Sequence, residues 1–277
     1  MVDRSGLLGL SWRQMRYESK SFWRTPIAAF FTIFFPLMFL LLFAALFGDE
    51  LIEIPGRSPF SVAQFYAPAL AAFAAGSATY TNIGVSTAFA RDQGILKRFR
   101  GAPLPVPAYM IGKISSSVWI AFVASALMLT VGALFYDVSL APERLPAALI
   151  TFLLGAGCFA GLGLALGALA PTGEGSPAIA NATYLPLAFA SDVFIAVGDP
   201  PTWLKVIGDV FPLKHFVNAF QDAFNPLTDD LALRPFDWAV MAGWGLFGAL
   251  IAWRFFAWQP RETGAAKPRR GRRQAAD

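Results

Sequence analysis

Residues 91–113 read RDQGILKRFRGAPLPVPAYMIGK, a basic, proline-punctuated segment set between two long apolar runs that carry no charge. Five of its side chains are basic (Arg91, Lys97, Arg98, Arg100, Lys113) against the single acid Asp92, the bias that keeps a loop on the cytoplasmic side of a membrane. Ile95, Leu96 and Phe99 fall at i, i+1 and i+4, which gathers them on one side of a short helix and leaves Asp92, Lys97 and Arg98 facing other directions. Pro103, Pro105 and Pro107 then forbid helix and favour an extended, stiff return. A short surface helix between stiff flanks is able to transmit a push.

Working outward, the run before this segment, residues 64–90, has 27 uncharged residues, long enough to tilt or to carry an interfacial turn at Pro68. The run after it covers residues 114–136. A bilayer core needs about 20 apolar residues in a helix, so these are spans 2 and 3. Span 1 is residues 27–47, with Pro36 placed to kink it; span 4 is 145–170, span 5 is 178–197 and span 6 is 238–258. Residues 1–26 mix Arg4, Arg13, Arg16, Lys20 and Arg24 with Leu7, Leu8, Leu10, Trp12, Met15, Tyr17, Phe22 and Trp23, as an amphipathic helix lying on a membrane surface does. The run that follows is too long for the core of a signal peptide, so the first span is expected to be retained. Between spans 5 and 6, the external stretch 199–237 holds two short helical patterns, 203–210 and 213–224, split at Phe211-Pro212 and suited to re-entrant pieces. The tail 259–277 is basic, and cytoplasmic disorder is expected for it.

Charge counting sets the orientation. The segments assigned to the inside hold sixteen Lys and Arg, those assigned to the outside hold five, and Arg254 near the inner end of span 6 completes the 22. Both termini are therefore expected in the cytoplasm, with six spans between them. The composition agrees: 56% of the residues are hydrophobic and 14% charged, and the mean hydropathy is +0.53, where soluble domains carry about 25% charged residues. The net charge of +4 follows topology and does not call for nucleic acid. One cysteine, Cys158, permits no intrachain disulfide, and one histidine, His215, rules out a histidine-cluster metal site.

The chain contains no G-x-x-x-x-G-K-[ST], G-x-S-x-G or H-E-x-x-H motif, so it has no phosphate-cradling loop of its own and no signature of a hydrolase. Proton-driven carriers rely on acids or bases inside the membrane, and Asp192 is the only candidate away from an inner helix end. Gly157/Gly161 and Gly163/Gly167 in span 4 carry the spacing that lets helix backbones approach closely, which favours packing within one subunit over a dimer seam.

Arg91, Asp92, Gly94, Leu96, Lys97 and Arg98, followed by Pro103-Leu104, Tyr109 and Gly112-Lys113, resemble the loop of ABC-2 type permeases, the membrane subunits of bacterial ABC exporters. Pro200 to Trp203 and Phe211-Pro212-Leu213 form a second match. Asp92 stands where the family often has Glu, and Asp192 where it often has Gly after Ser191. The resemblance implies an all-α integral membrane fold with six spans, an amphipathic elbow helix (1–26), a cytoplasmic coupling segment (91–113) and an external re-entrant region (199–237), together making a transmembrane domain over 1–258. It implies a bacterial cell membrane, a second permease subunit, either identical or a paralogue, and separate ABC ATPase subunits that carry the ATP and Mg, with no cofactor in this chain. Drug-resistance efflux is the activity such permeases resemble.

Two readings attach to the candidate residues. Arg91, Asp92, Gly94, Leu96, Lys97 and Arg98 either seat an ATPase subunit or anchor the loop on lipid phosphates; the glycine and the proline stiffening favour coupling. Tyr80, Thr81 and Asn82 in span 2 and Asn181, Thr183 and Tyr184 in span 5 either hold helices together or line a substrate path. Asp192 is expected to face the outer end of that path, with Lys205 and Lys214 as available partners. Phe-rich spans with few internal charges suit an amphiphilic drug, lipid or glycolipid rather than an ion. The competing function is a stand-alone secondary carrier or membrane scaffold; a neighbouring gene for a P-loop ATPase separates the two.

Overall fold

The computed structural model describes residues 4–47, 51–52, 60–96, 105–194, 201–225 and 230–256. Of the candidate coupling residues, Lys97 and Arg98 lie outside these, as does the basic tail. Nine helices are described: α1 (Arg4–Trp23), α2 (Pro26–Phe47), α3 (Val62–Asp92), α4 (Val106–Phe135), α5 (Leu145–Leu169), α6 (Ser176–Ala190), α7 (Thr202–Val210), α8 (Pro212–Phe224) and α9 (Pro235–Phe255). Two two-residue strands, β1 (Leu51–Ile52) and β2 (Phe60–Ser61), pair antiparallel with Leu51 opposite Ser61 just ahead of α3.

Prolines shape several helix ends and also lie inside α2, α3 and α6. Pro36 lacks an N–H and its ring crowds the carbonyl four residues back. The chain answers with a π-helical turn at Phe30–Phe34, where the Phe35 N–H reaches back to the Phe30 carbonyl. Pro107 does not block α4, contrary to the extended return read from the three prolines, because it falls in the first turn, where its missing N–H has no partner to lose. The helix therefore starts at Val106, eight residues before the expected span.

Pro68 makes no turn either. It lies inside α3, which begins at Val62 with Ser61 as its cap, the Ser61 Oγ accepting the Gln64 N–H at 3.1 Å. A helix of 31 residues is about 46 Å long, and every residue from Val62 to Gly76 is buried. Such all-round burial needs neighbours on every side. They are α2, α4, α5, α6 and α8, while α9 packs along α5, α1 along α4, and α7 between α6 and α8.

Small residues set the closest crossings. A Cβ on Gly163 would meet the Tyr80 and Thr79 carbonyls of α3 at 2.7 and 2.8 Å, and one on Gly248 would meet Leu162 N at 2.6 Å where α9 crosses α5. Gly161, Gly163 and Gly167 are thus spent on packing within the chain, whereas Gly157 faces open space.

Among the described residues, four helices are long and apolar enough to cross a membrane: Pro26–Phe47, Pro107–Phe135, Pro142–Leu169 and Pro235–Phe255. The helix at the expected span 5, residues 178–197, is shorter than that run, which Asp192 interrupts near its outer end. α6 has 15 residues and stops at Ala190, because the chain turns there through Ser191 and Asp192, with Asp192 at a φ of +55°.

Candidate functional site

A cavity of about 350 Å³ lies between α3, α5 and α6, bounded by α9 and by the Phe211-Pro212 junction of α7 and α8. Its walls are rings and aliphatic chains: Tyr80, Phe159, Tyr184, Phe211 and Trp244 with Leu162, Leu166 and Leu187, and no charged side chain lines it among the described residues. Tyr80 and Tyr184 stack at 5.7 Å, and Phe159 meets Tyr184 edge-on at the same distance. The Tyr184 hydroxyl donates to the Phe73 carbonyl at 2.7 Å, which fixes that ring. The polar edge is the pair Tyr80 Oη and Thr183 Oγ1, 2.7 Å apart. Thr183 also donates to the Ile179 carbonyl at 2.8 Å in its own helix. Thr183 and Leu169 are exposed, so the cavity opens on the flank of the bundle. Where α7 meets α8, Phe211 stacks on Trp244 at 5.2 Å and the Trp244 indole N–H donates to the Val210 carbonyl at 2.8 Å, tying α9 to the junction. Apolar walls with a few placed hydroxyls are the ordinary chemistry of a site for an organic amphiphile.

The base of the bundle, the end that bears the 91–113 segment, is built from side chains marked in the sequence for coupling. Arg91 is 1% exposed. Its guanidinium donates to the Gly167 carbonyl at 3.1 Å and the Ala170 carbonyl at 2.7 Å, and its Nε to Asp92 Oδ1 at 3.0 Å. The other Asp92 oxygen accepts the Gly173 N–H at 2.5 Å. One ion pair thus satisfies the open carbonyls at the end of α5 and grips the turn that leads into α6. Gly94 follows at a φ of +70° with open space around it, and Leu96 is fully buried.

The far end of the segment grips α1. A Cβ on Gly112 would meet the Ser11 carbonyl at 2.8 Å. Lys113, 3% exposed, pairs with Glu18 at 3.5 Å and lies 5.5 Å from the Tyr109 ring centre. Ser19 and Ser116 share a hydrogen bond of 2.8 Å. α1 therefore turns a polar face to α4 and leaves Leu8, Trp12, Tyr17 and Trp23 exposed with Arg13, Arg16 and Lys20.

At the opposite end, His215 bridges helices: Nδ1 lies 2.6 Å from Asp237 Oδ1 and Nε2 2.9 Å from the Asp209 carbonyl. The hydrogen bond to Asp237 raises the histidine pKa, partial burial opposes it, and the Asp209 carbonyl adds to the rise. Arg234 pairs with Asp222 and Asp230, both at 2.8 Å, and that partner holds the exposed Asp230 carboxyl below its usual range. Lys214 pairs with the carboxylate of Asp209 at 2.8 Å.

Of the substrate-path candidates, the structure brings Tyr80, Thr183 and Tyr184 together and leaves the others apart. Asn82 donates to Ser117 of α4 at 3.3 Å, the interhelical bond that is the plainer reading of such a residue. Thr81 is half-buried and Asn181 exposed, neither of them lining the cavity. Asp192 is half-buried in the turn after α6. Phe159, Phe211 and Trp244 also line the cavity, and the sequence does not mark them, since one aromatic among 27 phenylalanines and eight tryptophans carries no signal of its own. Among the described residues no group of His, Cys, Asp or Glu is arranged to hold a metal ion.

The fold defines a class: a helical, multi-pass membrane domain. The sequence matches the ABC-2 type transporter family over residues 9–225, more than half of the chain, and the chain belongs to that family. The matched region takes in α3, α5, α6 and the Phe211-Pro212 junction of the cavity, together with the base contacts of Arg91 and Asp92. No curated protein matches it.

Proposed function

We propose that the chain is the permease subunit of an ATP-driven exporter that moves an amphiphilic or hydrophobic cargo, such as a drug, lipid or glycolipid, out of the cytoplasm or inner leaflet of a bacterial cell membrane. The uncharged, ring-lined cavity with its Tyr80 and Thr183 hydroxyls is the observation that carries this reading. An ion would need charge or carbonyl rings there, and a proton relay would need acids. The path is expected to use Tyr80, Thr183 and Tyr184, with Asp192 near its outer exit.

In this reading the bundle crosses the membrane six times, α3 and α6 completing the four apolar helices, with both termini in the cytoplasm and α1 lying as an elbow in the membrane surface. α7 and α8 make the external re-entrant pair. Two such subunits, identical or paralogous, assemble with two ABC ATPase subunits, which bind ATP and Mg and dock on the segment formed by Arg91, Asp92, Gly94, Leu96, Lys97 and Arg98. Family membership supports ATPase partners, and the burial of Arg91 and Leu96 supports a role for these two in holding the docking segment from beneath, with the other residues of the segment offered to the ATPase.

The test is reconstitution with the co-purifying ATPase into vesicles carrying a fluorescent lipid-soluble dye. ATP-dependent, vanadate-sensitive movement of the dye is expected, and Tyr184→Ala, which removes a wall and a fixed hydroxyl, is expected to lower its maximal rate at least tenfold. Movement that needs a proton gradient and ignores ATP overturns the reading.

A further inference from the structure

We propose that the cavity between α3, α5 and α6 offers hydrogen-bond acceptors and no donors, and so selects an uncharged, flat ring bearing a hydroxyl or N–H over one whose polar groups only accept; this rests on the cavity being the cargo site of the permease. Among the described residues, four side chains in its wall own a hydrogen to give: Tyr80, Thr183, Tyr184 and Trp244. Each is already committed. The Tyr184 hydroxyl donates to the Phe73 carbonyl at 2.7 Å and the Trp244 indole N–H to the Val210 carbonyl at 2.8 Å. Thr183 donates to the Ile179 carbonyl at 2.8 Å, the back-bond common for a threonine in a helix. With that hydrogen spent, the 2.7 Å contact between Tyr80 Oη and Thr183 Oγ1 is a bond only if Tyr80 gives its own.

The backbone adds no donor. Pro212 has no N–H, those of Phe211, Ala170 and Ile179 go to the Ile207, Leu166 and Gly175 carbonyls, and the other lining residues lie inside helices. What faces the space is the unused lone pairs of Tyr80 Oη and Thr183 Oγ1. A phosphate, carboxylate or ketone would give up its water here and find nothing to bond, whereas a cargo hydroxyl ends on the pair. At about 350 Å³ the cavity is near the small end of ligand sites, which run from about 300 to 1,000 Å³. That admits a few fused rings rather than a two-chain lipid, and the stacked pairs Tyr80–Tyr184 and Phe211–Trp244 give such rings aromatic surface to lie against.

The test compares 2-naphthol with 2-methoxynaphthalene, the same rings with the donor masked, for saturable binding to the purified full chain in nanodiscs, corrected for uptake by empty discs. The wild type is expected to bind the naphthol about tenfold more tightly, the yield of one hydrogen bond that the ether cannot make. Thr183→Val returns the Tyr80 hydrogen to the cavity, so the ether is expected to gain affinity and the ratio to narrow. Tyr80→Phe combined with Thr183→Val removes both oxygens and should abolish the preference. A wild type that binds the ether as tightly as the naphthol, or binds neither saturably, overturns the inference, as does a ratio that the double variant leaves unchanged. None of these results touches the permease reading, which fails separately if dye movement in vesicles ignores ATP.

Discussion

Asp192 holds a left-handed backbone, φ +55°, one residue past the end of the Ser191-capped α6, and the Val193 N–H returns to the Ala188 carbonyl as in a Schellman cap. That conformation explains why glycine is at home in this position and why an aspartate, which tolerates it better than most residues, can replace it. Asp192→Asn is expected to melt like the wild type, whereas Asp192→Val should cost about 1–2 kcal/mol of stability, read as a lower Tm in detergent. A Val variant as stable as the Asn variant would remove the backbone argument. His215 makes the second residue-scale prediction. Its pKa is raised by the bond to Asp237, so the pair contributes in full below the unfolded value of about 6.5 and is lost as pH rises through the higher folded value. Melting temperature should fall across that window in the wild type, and Asp237→Asn should flatten the dependence.

At the scale of elements, close crossings and turns decide what the chain tolerates. Gly248→Val would press a side chain into the Leu162 and Gly161 backbone, so α9 must part from α5 at a cost of at least about 1–3 kcal/mol, visible as lost thermal stability. Gly94→Val meets no steric neighbour but strains a φ of +70°; it is expected to spare insertion and weaken ATPase binding, measured by co-purification. The same elements show what the sequence could disclose. The two helices split at Phe211-Pro212 were legible because proline and the amphipathic pattern act locally. The start of α4 was not, since proline's effect depends on whether its N–H would have had a partner, a fact set by where the helix begins. α3 was legible as a long uncharged run, yet its burial was hidden: its alanines, glycines and hydroxyl residues lower its hydropathy because protein, not lipid, surrounds it.

For the whole molecule, burial and chemistry divide the bundle. α3 forms the axis, the ring-lined cavity opens on one flank, and the ends of the 91–113 segment are fastened to the α5–α6 turn and to α1. Tyr80, Thr183 and Tyr184 were readable as polar groups in apolar spans, but their gathering, and the exclusion of Asn82 and Asn181, came from helix rotation that no local pattern specifies. The central claim is that this cavity serves ATP-driven transport. Its most direct measurement is dye movement in vesicles containing the purified complex, with ATP held constant and the proton gradient collapsed by an uncoupler. Transport unchanged by the uncoupler and abolished by vanadate is expected of an ATP-driven permease; transport that collapses with the gradient and survives vanadate would show a proton-driven carrier instead.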